Sequence, residues 1–82
     1  MLLGETKTAV QQWGYKQLEI EIPLHPDMLI GKRDALNYKT ERLCKHGEDG
    51  WELVAVSGYY TGEAGTEKHH YIETLYFKKP LE

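Results

Sequence analysis

The sequence predicts a small α+β domain of the β-α-β-β type, in which one helix packs on one face of a three-stranded sheet. Three observations predict it. Residues 13–22 alternate between apolar and polar side chains, a helical repeat begins at Asp34, and two strand-like segments, 51–60 and 69–79, flank a glycine-containing loop. We favour the strand order 2-3-1, which makes the chain a split β-α-β unit, because crossovers between parallel strands follow one hand in nearly all proteins.

Length and composition indicate one folded domain. The 82 residues weigh 9.5 kDa, with 40% hydrophobic and 28% charged side chains, which argues against disorder. A single cysteine excludes an internal disulfide. The net charge of −3 argues against nucleic acid as a partner. The chain carries neither a signal-peptide pattern nor an apolar run of membrane-spanning length, so we expect a cytoplasmic protein without a membrane partner.

The domain is expected to occupy residues 13–80. Residues 1–12 have few apolar positions and are expected to form a flexible N-terminal tail. The dipeptide at 81–82 is typical of a cloning scar ahead of an affinity tag, and we exclude it from the domain.

The first strand has an apolar and an acidic side. The apolar side carries Leu18, Ile20 and Ile22, and the other side carries Gln17, Glu19 and Glu21. Trp13 and Tyr15 fall on the acidic side. Either a bulge near Gly14 reverses the alternation, or the second face of the sheet also contacts something apolar.

The helix is predicted from Asp34 to Gly47, because Gly31 argues against a helix that begins near His25. The side chains expected to face the sheet are Leu36, Thr40, Leu43, Cys44 and Gly47, while Lys39, Glu41, Arg42 and Lys45 are expected to point outward. Gly47 is expected to take the left-handed conformation that ends the helix.

The second and third strands are expected to form an antiparallel hairpin. The apolar run from Leu53 to Val56 predicts a strand whose middle is covered on both faces. Residues 61–68 are expected to form the hairpin loop. The third strand carries Ile72, Thr74 and Tyr76 on one side and Tyr71, Leu75 and Phe77 on the other.

One helix covers only one face of a three-stranded sheet, so the other face needs a cover. We expect that face to carry aromatic side chains that contact a second copy or a partner, and we assign to it Trp13, Tyr15, Tyr71 and Phe77. A homodimer is the simplest arrangement that covers it.

Three segments of the chain resemble a known family. They are Trp13-Gly-Tyr15-Lys16, then Gly47-Glu48-Asp49-Gly50-Trp51-Glu52-Leu53-Val54-Ala55-Val56 and finally Tyr76-Phe77-Lys78-Lys79-Pro80. Together they are similar to domain of unknown function 4177, a family of small bacterial and phage proteins, although Lys79 stands where arginine is more usual. The resemblance implies a strand-helix-strand-strand domain over residues 13–80 and implies no particular activity.

The motif around Trp51 has two interpretations. Trp51 is either a stacking platform for a flat ligand or a plug at the end of the helix–sheet core, with Gly50 supplying a positive φ. We favour the plug, because so small a core depends on its largest side chains.

Metal and nucleophile motifs are missing from the sequence. His69 and His70 are adjacent on a strand and point to opposite faces, while Cys44 and His46 diverge around the helix. We therefore predict no metal site and no cofactor, although His70 with a cross-strand carboxylate remains an alternative. Cys44 is expected to pack as a small buried hydrophobe.

The acidic side chains of the strands also have two interpretations. Glu73 could lie opposite Glu19 and Glu21 and form a paired-acid site for proton transfer. We favour the alternative, in which exposed glutamates on an edge strand prevent aggregation.

The best candidate for a ligand site combines basic and aromatic residues. Free amides at a helix N-terminus attract anions, and a nucleotide-like ligand could bind there to Lys32, Arg33, Tyr38, Tyr59 and Tyr60.

We therefore expect a non-enzymatic binding module, a homodimer that binds a small anionic ligand or a partner. The alternative is a structural or regulatory adaptor that adds a partner strand to an exposed sheet edge. An enzyme ranks third, because no catalytic residues occur at a recognised spacing.

Overall fold

The computed structural model describes residues 10–81 and contains a three-stranded antiparallel sheet and one long helix. The elements are β1 (Trp13–Pro23), a short 3-10 helix (Pro26–Met28), α1 (Leu29–Glu48), β2 (Glu52–Thr61) and β3 (His70–Pro80). The strand order is β1-β3-β2, so the predicted α+β class and strand order are confirmed. Most of the predicted N-terminal tail, residues 1–9, lies outside the described residues.

The two faces of the sheet differ in what covers them. Ile20 and Ile22 of β1 form the buried core with Leu75 and Phe77 of β3, and α1 packs Ala35 and Leu43 against this cluster. We call the side of the sheet that α1 covers the helix face and the opposite side the open face.

Strand β1 contains no bulge within the described sheet. Its register with β3 runs without interruption from Trp13 opposite Pro80 to Pro23 opposite His70. Side chains therefore alternate regularly, and Trp13 and Tyr15 lie on the open face together with the glutamates. Of the two explanations for these aromatic residues, the bulge is wrong.

Helix α1 begins at Leu29, earlier than predicted, and runs unbroken through Gly31. The preceding turn is ordered by His25, whose Nδ1 accepts a hydrogen bond from the Asp27 N–H at 3.1 Å. A Cβ built on Gly31 would lie 3.4 Å from Cγ of Pro23, so the first turn of the helix lies within contact distance of the end of β1. Tertiary packing here outweighs the low helix propensity of glycine.

The side of α1 that faces the sheet also differs from the prediction. The buried or half-buried positions are Gly31, Ala35, Lys39, Arg42, Leu43 and His46, whereas the predicted inward positions Leu36, Thr40, Cys44 and Gly47 are exposed. Of the predicted inward positions only Leu43 is correct. Of the predicted outward positions Glu41 and Lys45 are exposed as expected, whereas the assignment of Lys39 and Arg42 to the outside is wrong. Two contacts set this rotation: the His46 ring lies 4.6 Å from the Phe77 ring, and Lys39 Nζ lies 2.5 Å from Glu73 Oε1.

Helix α1 ends at Glu48, and the left-handed residue that follows it is Gly50 and not Gly47. Gly50 has a φ of +90°, and the Trp51 N–H donates to the His46 carbonyl at 2.8 Å, while the Gly50 N–H donates to the Gly47 carbonyl at 3.0 Å. This is the Schellman pattern, in which the left-handed residue follows the last turn. The positive φ predicted for Gly50 is confirmed, and the left-handed Gly47 is wrong.

Strand β2 is an exposed edge strand. Every residue of β2 is exposed, because α1 packs mainly against β1 and much less against β2. The predicted coverage of the Leu53–Val56 run on both faces is therefore wrong. The register with β3 also shifts between Leu53 and Ala55, so Val54 is an extra residue that has no partner on β3, as in a β-bulge.

Candidate functional site: the exposed edge of the sheet

The five predicted ligand residues do not converge on one site. Lys32 and Arg33 lie within α1 and not before it, and both are exposed. Tyr59 pairs with Ile72 on the open face, whereas Tyr60 pairs with Tyr71 on the helix face. A single ligand cannot contact both tyrosines from one side of the sheet. Tyr38 is also exposed on α1.

The four residues predicted for the partner face also lie on different faces of the sheet. Tyr15 lies on the open face and is 72% exposed, and Trp13 lies on the same face with Lys78 Nζ 4.1 Å from its ring centroid. Phe77 is 2% exposed and belongs to the core, and Tyr71 packs against that core. The assignment of Tyr71 and Phe77 to the uncovered face is therefore wrong, because both point toward α1.

Trp51 has the surroundings of a structural plug. It is half-buried and packs against the core cluster. The ammonium groups of Lys16 and Lys79 lie 4.4 Å and 5.1 Å from its ring centroid. A Cβ on Gly14 would lie 3.7 Å from the indole, so the ring fits against bare backbone there. These contacts support the plug interpretation, since they occupy the indole with the protein's own groups.

The acidic side chains of the strands do not form a paired-acid site. Glu19 and Glu21 are exposed on the open face of β1, which is an edge strand. Glu73 pairs with Ile20 on the helix face, where its carboxylate contacts Lys39. The sheet therefore separates Glu73 from the other two. Their placement agrees with the edge-protecting interpretation.

The histidines and the cysteine are distributed around the molecule. His70 Nε2 lies 3.9 Å from Glu21 Oε2 across the strands, and His69 stacks near Tyr60 with centroids 5.9 Å apart. Cys44 is exposed on α1, so its predicted burial is wrong. His46 is instead the buried residue of that turn.

Burial lowers the pKa of His46 below its ordinary value of 6.5. The positive charges of Lys16 and Arg42 lower it further, while the Arg42 carbonyl and Asp49 act in the opposite direction. The neutral imidazole is therefore the form that fits the core beside Phe77.

The structure brings together one cluster of metal-ligating side chains that the sequence did not predict. Ligand atoms of His25, Asp27 and Glu67 lie within 4.8 Å of one another, where the hairpin loop approaches the turn before α1. His25 Nδ1 already accepts the Asp27 N–H, and both carboxylates are exposed. We therefore assign no metal to this cluster. No spacing in the sequence could have revealed it, because Glu67 comes from a distant loop.

The outer edge of β2 is the most distinctive surface of the described chain. Its exposed apolar side chains are Leu53, Val54, Val56, Tyr59 and Tyr60, with exposed fractions from 41% to 69%. Residues 53–61 contain no charged side chain. The opposite edge, β1, carries Lys16, Glu19 and Glu21 within the strand and is packed under α1. The two edges are therefore chemically different: the charges of β1 are spread along the strand and discourage pairing, whereas β2 carries only Glu52, at its first position.

The backbone of β2 is held in position from one side by β3. Ser57 Oγ lies 3.2 Å from Tyr76 Oη on the open face, and the Tyr71 ring extends over Gly58 on the helix face. β2 therefore presents an ordered edge to an incoming strand.

Within residues 10–81, the one long helix is too polar to be a bilayer-spanning segment. No protein-family model, curated protein or solved structure matches the chain.

Proposed function

We propose that the protein is a non-enzymatic protein-interaction module that binds by adding a strand to the outer edge of β2. The observation that carries this proposal is the exposure of the whole strand, Glu52–Thr61, with apolar side chains on both faces. In strand addition, main-chain hydrogen bonds supply affinity and alternating side chains supply selectivity. An apolar edge with no charged residue after Glu52 offers both.

A protein partner accounts for this surface better than a small anionic ligand does. The exposed apolar side chains form a line about 30 Å long, estimated from ten strand residues at ~3.3 Å each. Small-molecule sites are concave and bury most of their ligand. A linear apolar edge lacks that shape, and the basic residues Lys32 and Arg33 lie on α1 instead of β2.

The open face supports a second candidate interface. Tyr15 is 72% exposed there and Tyr59 is 57% exposed, so aromatic area remains available to a partner that packs on the sheet. The same face carries Glu19 and Glu21, both exposed, which such a partner would have to pair or avoid. Residues 53–61 of β2 carry no charged side chain, so a partner at that edge meets no such charges.

Site-specific photo-crosslinking tests the proposal. A benzophenone amino acid placed at Tyr60 on β2 is expected to give a covalent protein adduct in the cells that make the protein. Tyr38 is the matched control, because it is an exposed tyrosine on α1 (47% against 69% exposed). A third variant at Tyr15 reports on the open face.

Adducts at Tyr60 and none at Tyr38 would support strand addition at β2. Adducts confined to Tyr15 would move the interface to the open face. A fourth variant carries the crosslinker at Tyr59, the exposed tyrosine of β2 on the open face. The absence of a protein adduct at both Tyr60 and Tyr59 would overturn the proposal.

A further inference from the structure

We infer that the strand added to β2 is β2 of a second copy of this chain, paired antiparallel about a two-fold axis. The inference rests on the proposed function and names the partner. It assigns to the dimer a continuous six-stranded sheet in the order β1-β3-β2-β2-β3-β1.

The chemistry of β2 is complementary to itself. A strand that pairs with β2 must carry apolar side chains on both faces and no charge over its middle, because opposite residues lie on the same face at about 5 Å. β2 satisfies that requirement, with Leu53, Val56 and Tyr60 on the helix face and Ala55 and Tyr59 on the open face. β1 does not, because charged residues interrupt it.

The single charge of β2 selects the antiparallel arrangement. Glu52 is the first residue of the strand and its only charged one. In a parallel pair the two Glu52 carboxylates would lie side by side, whereas antiparallel pairing separates them by about 30 Å. Symmetric homodimers use the same patch on both copies, and an antiparallel edge pair meets that condition.

The symmetry axis also determines how the rest of the dimer is arranged. An axis perpendicular to the sheet leaves each face on its own side, so both α1 helices lie on one side of the six-stranded sheet. The outer edges of that sheet are then two β1 strands, which carry Lys16, Glu19 and Glu21. These charges oppose further pairing, so the assembly closes at two copies.

The contact area predicts a reversible dimer. Ten residues at ~3.4 Å and a sheet thickness of ~10 Å give about 340 Å² per copy, or about 700 Å² in total. Stable interfaces bury about 1,200–2,000 Å². The dimer is therefore expected to dissociate on dilution, and its measurement requires protein concentrations from about 1 μM to about 1 mM.

Sedimentation or light scattering across that range, on the full chain, tests the inference. We expect the mass to rise from 9.5 kDa toward twice that value. Val56→Lys places two like charges near the axis and is expected to weaken dimerisation at least about tenfold. Val56 is 49% exposed, so the monomer is expected to tolerate the lysine. Gln17→Lys on β1 adds the same charge at an exposed position of the other edge and is expected to leave dimerisation unchanged.

Disulfide trapping tests the arrangement without relying on a destabilising variant. In a Cys44→Ser background, Ser57→Cys lies near the axis and is expected to form a covalent dimer on addition of an oxidant. Glu52→Cys lies at the end of the strand, so in an antiparallel pair its two thiols are far apart and no disulfide between the copies is expected. In a parallel pair each residue lies beside its own counterpart, so both variants would crosslink. Crosslinking of Glu52→Cys would therefore indicate parallel pairing and overturn the inference, as would the absence of crosslinking of Ser57→Cys.

The failure of this inference differs from the failure of the proposed function. A purified chain that stays at 9.5 kDa up to about 1 mM, yet gives Tyr60 adducts with a different protein, overturns self-pairing and leaves strand addition standing. A monomer that gives no adduct at β2 overturns both. An adduct at Tyr60 of twice the chain mass supports both.

Discussion

Two glycines of the β2–β3 loop provide a test that separates backbone strain from steric overlap. Gly62 and Gly65 both have positive φ, +80° and +86°. A Cβ built on Gly62 would overlap the Lys68 carbonyl oxygen, whereas a Cβ on Gly65 has nothing within 4 Å. Alanine at Gly65 therefore suffers strain alone, and alanine at Gly62 suffers strain and a backbone clash.

The expected magnitudes follow from this difference. A non-glycine residue in the left-handed region costs about 1–2 kcal/mol, which is the full expected effect of Gly65→Ala. Gly62→Ala must also push the Lys68 backbone away, which breaks the close approach of the two hairpin strands, so we expect a loss of about 3 kcal/mol or more. Gly47 lies in the last turn of α1 with open space around its Cβ position, and Gly47→Ala is expected to stabilise the protein by about 0.5–1 kcal/mol.

Urea unfolding followed by circular dichroism measures all three variants against the parent. Experiments at low micromolar concentration keep the chain monomeric, so folding is not coupled to association. For a domain of this size, each kcal/mol also shifts Tm by about 4–8 °C. Equal losses for Gly62→Ala and Gly65→Ala would refute the reasoning, because they would show that the Lys68 carbonyl does not approach Gly62.

Two further perturbations test the core. His46 has a lowered pKa in the folded state, so below pH 6.5 the unfolded chain binds the proton more readily than the folded chain does. The free energy of unfolding is therefore expected to fall as the pH drops from 6.5 to the pKa of folded His46, and to level off below it. Urea titrations at several pH values should show this slope in the parent and its loss in His46→Leu, and a persisting slope would assign it to another group. Gly58→Ala would overlap the Tyr71 hydroxyl, so we expect a loss of about 1–3 kcal/mol. The same substitution in a Tyr71→Leu background should cost less, and equal costs in the two backgrounds would contradict the contact.

Individual residues show which predictions a local sequence pattern supports and which it does not. The sequence correctly predicted the positive φ of Gly50 and the exposed glutamates of β1, since both depend on turn chemistry and strand alternation. It misplaced Phe77 and Tyr71. Alternation shows which residues share a face of β3 but not which face the helix covers.

The sequence by itself determined the elements, their order in the chain and the antiparallel hairpin. Those properties follow from periodicity and glycine placement, which act over a few residues. Only the tertiary structure decided where α1 begins, how it is rotated and which strands it covers. A helix about 10 Å wide spans about two strands at ~4.8 Å spacing, so one strand had to remain outside its cover. The position of α1 over β1 makes β2 that strand, and the Leu53–Val56 run that resembles a buried core strand is instead an exposed edge.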